Sequence, residues 1–324
     1  MDIYRTNYRP IDCISPTQEK QISGELITRL QKILGDELNR MAMYLQATYS
    51  IPKNAYSVDY FGYSKDMQHQ LICHAIHEMR HAETIGRILC KIGHNPRLKT
   101  SRLTPPKTYK EMLTMIFESE QDGIKNLSEA LDATNDQEIK VTLLNQIREE
   151  NAHLQMRTQI YDQIEKTGLI DTVLPSPEGA GPVSYDINIL LDAFELEIQS
   201  IITLIYGSIL LGMDMAIPPR LRALSIEDMQ HLNKIAQDII TLGGRPVVSP
   251  ESLNNVPRLS NAVQVIDHAI EIKQQKIRQY DQFSQMIKSK GAAKTLSDMM
   301  GKEEENISDL KGFANSLQTA EPIH

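Results

Sequence analysis

The chain has 324 residues, 41% hydrophobic and 23% charged, with a formal net charge of −8, the balance of an ordinary globular protein with room for two domains. The acidic excess argues against a broad nucleic-acid or anionic-membrane surface. Three scattered cysteines (Cys13, Cys73, Cys90) are too few for a disulfide framework and point to the cytoplasm, and neither a signal-like N-terminus nor an apolar run of bilayer length is present.

Apolar residues recur at three- and four-residue spacing, the helical period. Ile22 to Tyr49 reads as a helix ended by Pro52, and about 65–92 as a second, stopped by Gly93 with Pro96 behind it. Thr108 to Glu111 has the form of a capping box and opens a third helix that fades near Asn135. A fourth runs from about Gln137 to Thr167 and stops at Gly168. The Pro/Gly-rich stretch Leu174–Val183 reads as a linker. Four more helical patterns follow it: about 186–211, 219–242 (stopped by Gly243 and Gly244), 260–289 and 292–317.

Two blocks of four long helices, each with a proline-bearing connection in the middle, predict an all-α protein of two tandem four-helix bundles. The expected division is residues 1–170, a linker at 171–185, and 186–324. Glu78-Met-Arg-His81 aligns with Asp228-Met-Gln-His231, and each helix that carries it ends in Gly and then Pro.

An amphipathic helix should keep its glutamates in water. In the first block each helix breaks this rule once: Glu37 lies on the stripe of Ile33, Leu34 and Met41, Glu78 between Leu71 and Ile85, Glu120 among Ile116, Phe117 and Ile124, and Glu150 after Leu143 and Ile147. Two of the four have a histidine three residues on, His81 and His153, which places imidazole and carboxylate on one helix face. Glu-x-x-His alone is a cheap motif, since Glu321 and His324 match it in a tail broken by Pro322. Its weight here comes from placement in the second and fourth helices, with lone glutamates in the first and third.

That arrangement is the ligand set known from di-iron carboxylate bundles; it is matched to that class and not deduced from spacing. Four buried carboxylates need counter-charge, and two divalent cations supply it. Oxygen-rich ligation with one imidazole per metal and no thiolate favours iron or manganese over structural zinc.

Residues 22–165 resemble bacterioferritin, within the ferritin-like superfamily. The likeness rests on Leu34-Gly-Asp-Glu37 with Tyr44-Leu, on His77-Glu-Met-Arg-His81-Ala, on Glu120-Gln-Asp-Gly-Ile-Lys-Asn-Leu-Ser-Glu-Ala130, and on Arg148-Glu-Glu-Asn-Ala-His153. The resemblance implies a ferroxidase-type centre that binds two iron ions and oxidises Fe(II) with O2 or peroxide. Glu37 and Glu120 would be terminal ligands, Glu78 and Glu150 bridging ones, and His81 and His153 one imidazole for each iron. It also implies a possible homo-oligomer, and a place for haem at Met79 and, in the repeat, Met229; as a residue type, Met is equally a flexible core filler. Tyr44 is read as core beside the centre, and His74 and His77 as helix-surface residues or the lining of a metal access route.

The second block offers Glu197 (or its neighbour Glu195), Asp228, His231, Glu271 and Glu303, with Asn306 where the last histidine would be. A shortened acid and a missing imidazole weaken metal binding. This half is therefore read as a decayed copy kept for packing, or as a weaker site recruiting His268. Two other functions reuse the first block's ligands: a dimanganese catalase or an oxygenase acting on an organic substrate, and an iron-storage shell protein. The short tail after Leu317 argues against a standard cage, since it leaves no room for a fifth helix in the second block.

Overall fold

A computed structural model describes residues 23–51, 57–60, 63–98, 106–166, 168, 171–177, 179, 184–211, 217–248, 259 and 262–319. Cys13, residues 178 and 180–183 of the linker, Glu321 and His324 lie outside the described residues. The helices are α1 (Gly24–Ser50), α2 (Met67–Lys91), α3 (Tyr109–Asp132), α4 (Gln137–Lys166), α5 (Ser184–Leu210), α6 (Ile217–Thr241), α7 (Ala262–Met286) and α8 (Lys290–Thr319). A small antiparallel hairpin, β1 (Ser57–Tyr60) and β2 (Tyr63–Asp66), joins α1 to α2, with Ser57 opposite Asp66. Strands of four residues are too short for periodicity to announce.

The repeat is visible in helix lengths: 27 residues for α1 and α5, 25 for α2 and α6, 30 for α4 and α8. Local chemistry repeats as well. Both α2 and α6 end on a left-handed glycine, Gly93 (φ 78°) and Gly243 (φ 87°). The next amide then donates back to the helix, His94 to Leu89 at 2.8 Å and Gly244 to Ile239 at 2.9 Å, which satisfies carbonyls the helix end would otherwise leave open. Ser23 caps α1 by accepting from the Leu26 amide at 3.1 Å. The capping box of α3 forms with its return bond shifted outward. Thr108 accepts from the Glu111 amide at 3.1 Å, while the Glu111 carboxylate accepts from the Lys107 amide at 2.6 Å.

The Tyr109 hydroxyl, at the start of α3, donates to the Ser50 carbonyl at the end of α1 at 2.8 Å. Helix α3 therefore begins where α1 stops, and the connection from α2 must cross the length of the bundle. On its way the Arg97 amide donates to the Gln31 side chain at 2.9 Å. Helices α1 and α2 pair, α3 and α4 pair, and α1 packs on α3; α5 to α8 repeat this scheme.

The halves share a core. Leu38, Leu45, Ile85 and Leu89 belong to one buried cluster with Leu190, Ile201, Ile205 and Ile209, where α2 meets α5 and α1 meets α6. Across the same boundary Arg222 Nε donates to Glu83 at 2.8 Å. This explains why α5 is apolar on nearly every face: it is buried by its own bundle on one side and by the first on the other. Among the described residues no helix is long and apolar enough to cross a membrane.

Close approach at this boundary depends on Gly86, where a Cβ would lie 2.7 Å from Cδ1 and Cγ2 of Ile209. Gly86→Val is expected to destabilise the chain by about 1–3 kcal/mol in urea unfolding, and adding Ile209→Ala should recover part of that loss. Unchanged unfolding of Gly86→Val would show that α2 and α5 do not pack this way.

Candidate metal centre

All four rule-breaking glutamates are buried at mid-helix in the first bundle, and they converge. Glu37, Glu78, Glu120 and Glu150 are 0% exposed, His81 4% and His153 5%. Their ligand atoms form two overlapping groups, Glu37–Glu78–His81–Glu150 and Glu78–Glu120–Glu150–His153, each with its atoms within 4.8 Å of one another. Glu78 and Glu150 belong to both groups. Their Oε2 and Oε1 atoms, respectively, face His81 Nδ1 at 4.0 and 3.1 Å, while the opposite oxygens face His153 Nδ1 at 3.6 and 3.5 Å.

Supporting contacts hold the set in place. The Tyr44 hydroxyl donates to Glu120 at 3.1 Å and the Gln146 amide to Glu37 at 2.7 Å. His81 Nε2 meets Glu149 at 2.9 Å, and His153 Nε2 meets His77 Nδ1 at 3.0 Å. His74 is buried and stacks on Tyr44 with ring centroids 5.3 Å apart. A polar surface cavity lined by His77, Arg80, His81, Gln146 and Glu149 opens beside the centre.

The sequence reading missed a cation. Arg40 is fully buried among these acids: its Nε is 2.9 Å from Glu78 and 3.8 Å from Glu120, and its Nη2 is 2.6 Å from Glu37 and 3.2 Å from Glu150. Its guanidinium lies over Gly123, where any Cβ would strike Nη1. The expectation that two metal ions alone balance four carboxylates is therefore corrected, because the chain supplies counter-charge of its own. Burial works against ionisation throughout. Against it, Arg40 and His153 hold Glu78 and Glu150 well below the usual carboxylate range, and carboxylate partners raise His81 and His153. Glu37 is pushed up to about 7, chiefly by burial. Burial, and after it the neighbouring His153, lower His77.

Metal ions fit this site. The donors are carboxylate oxygens and imidazole nitrogens, the set that suits iron or manganese. Glu37 Oε2, Glu150 Oε2 and His153 Nδ1 are buried with no hydrogen-bond partner, a cost that an ion would remove.

The second bundle gathers Glu197, Asp228, His231 and Glu303, all buried; Glu195, the competitor of Glu197, is only partly buried. Glu271 is not among them. Its side chain is 73% exposed and pairs with His268 at 3.4 Å. Aligning α3 and α7 at their first residues puts Lys273, not Glu271, at the place of Glu120. Two residues along a helix is about 200° of rotation, so Glu271 faces outward. Lys273 Nζ lies 3.0 Å from Asp228 and 2.7 Å from Glu303, and Lys276 Nζ 2.6 Å from Glu197 and 2.9 Å from Asp228. Lys276 also pairs with Glu303, the Tyr280 hydroxyl donates to Glu197, and Ser200 donates to Asp228 at 2.7 Å.

The two bundles exchange parts between helices. Arg40 corresponds to Ser200 and Gly123 to Lys276, so a long cation and its small neighbour have traded places; Tyr44 and Leu127 correspond to Leu204 and Tyr280 in the same way. Basic residues on an apolar stripe were the available signal in both halves.

Burial opposes the charge on His231, but hydrogen bonds to Glu197 and Glu303 outweigh it and raise its pKa from 6.5 to about 9. The folded value is the higher one, so this stabilisation is complete below about pH 6.5 and is lost as pH rises through about 9. Urea unfolding at pH 6 and pH 9.5 should differ by roughly 3 kcal/mol more in the native chain than in His231→Asn. Equal pH dependence in both would remove His231 from this account.

Met79 and Met229 are buried in the core shared by the halves, and the Met79 sulfur accepts from the Ser225 hydroxyl at 3.3 Å. Residues packed this way do not fit a haem between them.

No curated protein matches the chain. A family model for the ferritin-like domain matches residues 27–167 and again 217–320; the second match omits α5, which the structure nevertheless places with Glu197 in the corresponding cluster. With both matches and both four-helix bundles in hand, the chain belongs to the ferritin-like domain family as a tandem repeat.

Proposed function

We propose that the first bundle binds Fe(II) and oxidises it with O2 or peroxide, a ferroxidase-type role in iron handling, in the cytoplasm. The observation that carries this reading is the convergence of six buried ligands from four helices, with Glu150 Oε2 and His153 Nδ1 buried beside each other without a hydrogen bond. The resemblance of residues 22–165 to bacterioferritin supports it. Iron would supply reversible one-electron chemistry; in the overall balance, two Fe(II) give two electrons to O2, which leaves with two protons as hydrogen peroxide. Glu37 and Glu120 would each serve one ion, and Glu78 and Glu150, which face both histidines, would be open to either. Glu149 orients His81 and His77 orients His153, as partners of a ligand's far nitrogen do. The polar cavity beside His81 and Glu149 is the access route for the cation.

An apolar hollow is lined by Tyr44, Leu71, Leu113, Ile116, Phe117 and Ile160. It is about the size of one small molecule, which suits O2 better than an organic substrate and ranks an oxygenase lower. Manganese and peroxide remain the chemical alternative with the same ligands. The second bundle is proposed as a metal-free structural copy, its acids neutralised by Lys273 and Lys276.

Anaerobic Fe(II) titration followed by O2 is the test. Iron bound in the first bundle, ferric absorbance and O2 uptake are expected. Failure to bind Fe(II), or rapid O2 release from peroxide by the manganese-loaded protein, would replace this reading.

A further inference from the structure

We infer that the two halves of the first-bundle centre load unequally: one ion binds on the His153 side, while Arg40 holds the place of the second ion on the His81 side. The inference rests on the metal-binding reading above and divides the site by which atoms are already satisfied. On the His81 side, Arg40 contacts Glu37 Oε1 at 2.6 Å, Glu78 Oε2 at 2.9 Å and Glu150 Oε1 at 3.2 Å. His81 itself is engaged at both nitrogens, Nδ1 by Glu150 at 3.1 Å and Nε2 by Glu149 at 2.9 Å. On the other side, His153 Nδ1 meets Glu150 Oε2 and Glu78 Oε1 only at ion-pair distance, 3.5 and 3.6 Å, and neither His153 Nδ1 nor Glu150 Oε2 has a hydrogen bond. Glu37 Oε2 is also unbonded on the His81 side, 3.6 Å from His81 Nδ1, but the imidazole there is held at both nitrogens, whereas His153 keeps Nδ1 for a ligand.

Arginine suits a place-holder because its guanidinium stays charged at any physiological pH and binds two carboxylates at once. Glycine at residue 123 leaves room for the guanidinium, since a Cβ there would force Nη1 to shift. The second bundle carries the same substitution further. There Lys273 and Lys276 lie against Glu197, Asp228 and Glu303, and both cation positions are supplied from within. A divalent ion entering beside Arg40 would meet a fixed positive charge at close range in a low-dielectric interior. The second ion should therefore bind at least about 100-fold more weakly than the first.

The experiment is anaerobic Co(II) titration of the full chain, read by calorimetry and by the visible cobalt spectrum. The native protein should take one tight Co(II) per chain. His153→Ala should lose that ion, His81→Ala should keep it, and Arg40→Leu should take two ions of similar affinity. Two equivalent ions in the native protein, or a tight ion lost in His81→Ala and kept in His153→Ala, would overturn the inference and leave the metal reading standing. Arg40→Leu that folds and still takes one ion would also overturn it. No Co(II) bound by any of these proteins would overturn both. Should Arg40→Leu fail to fold, the native stoichiometry and the two histidine variants decide the matter.

Discussion

Glu78→Gln is expected to abolish tight Fe(II) binding by the first bundle while leaving helix content nearly unchanged. Glu78 presents one oxygen to each half of the centre, so its loss removes a ligand from both positions. Glutamine keeps the volume and one acceptor for Arg40, whose Nε now lies 2.9 Å from Glu78, so the fold has little reason to fail. Changes to groups that only orient a ligand commonly cost 10–100-fold in metal affinity; removal of a carboxylate shared by two positions should cost more than about 100-fold. His153→Ala should act on the same ion through the imidazole. Anaerobic iron titration with parallel circular dichroism reads both effects. Full iron loading and O2 consumption in both variants would mean that the centre lies elsewhere.

Lys276→Met should have the largest effect on stability, about 3–5 kcal/mol, because it strips one of two ammonium groups from three buried acids. Lys276 contacts Glu197, Asp228 and Glu303, and its own pKa is held above the ordinary lysine range by those carboxylates despite burial. Asp228 is raised by burial even with both lysines present, so it stands to take up a proton when one is lost. The thermal midpoint should fall accordingly. In Lys273→Met with Lys276→Met, added Co(II) or Fe(II) should restore part of the lost stability by mass action, because an ion would find Glu197, Asp228, His231 and Glu303 without competing ammonium groups. A double variant as stable as the native chain, or one indifferent to metal, would show that the lysines do not substitute for cations.

The two bundles thus share a scaffold and differ in how buried negative charge is met. Arg40 compensates part of it in the first, leaving atoms for a metal ion to satisfy. Lys273 and Lys276 meet the acids of the second directly. Replacing one buried carboxylate by a cation, as at the positions of Glu120 and Lys273, changes the local charge by two units and is enough to turn a ligand set into a salt-bridge network.

Much of this was legible without coordinates, because it is local. The 3.6-residue period, the cap at Thr108, and the left-handed Gly93 and Gly243 set where helices begin and end, whereas the Ser23 cap of the first helix was not read from the sequence. One acid per apolar stripe, with His81 and His153 a turn further on, identified the six residues that converge. What only the tertiary structure decided was phase and reach: which of Glu271 and Lys273 faces the interior, and whether a long basic side chain finds room among the acids. Gly123 makes that room for Arg40 and Ser200 stands at the corresponding place opposite Lys276. Such fits depend on how neighbouring helices approach, a distance and rotation that no single helix encodes in its own period.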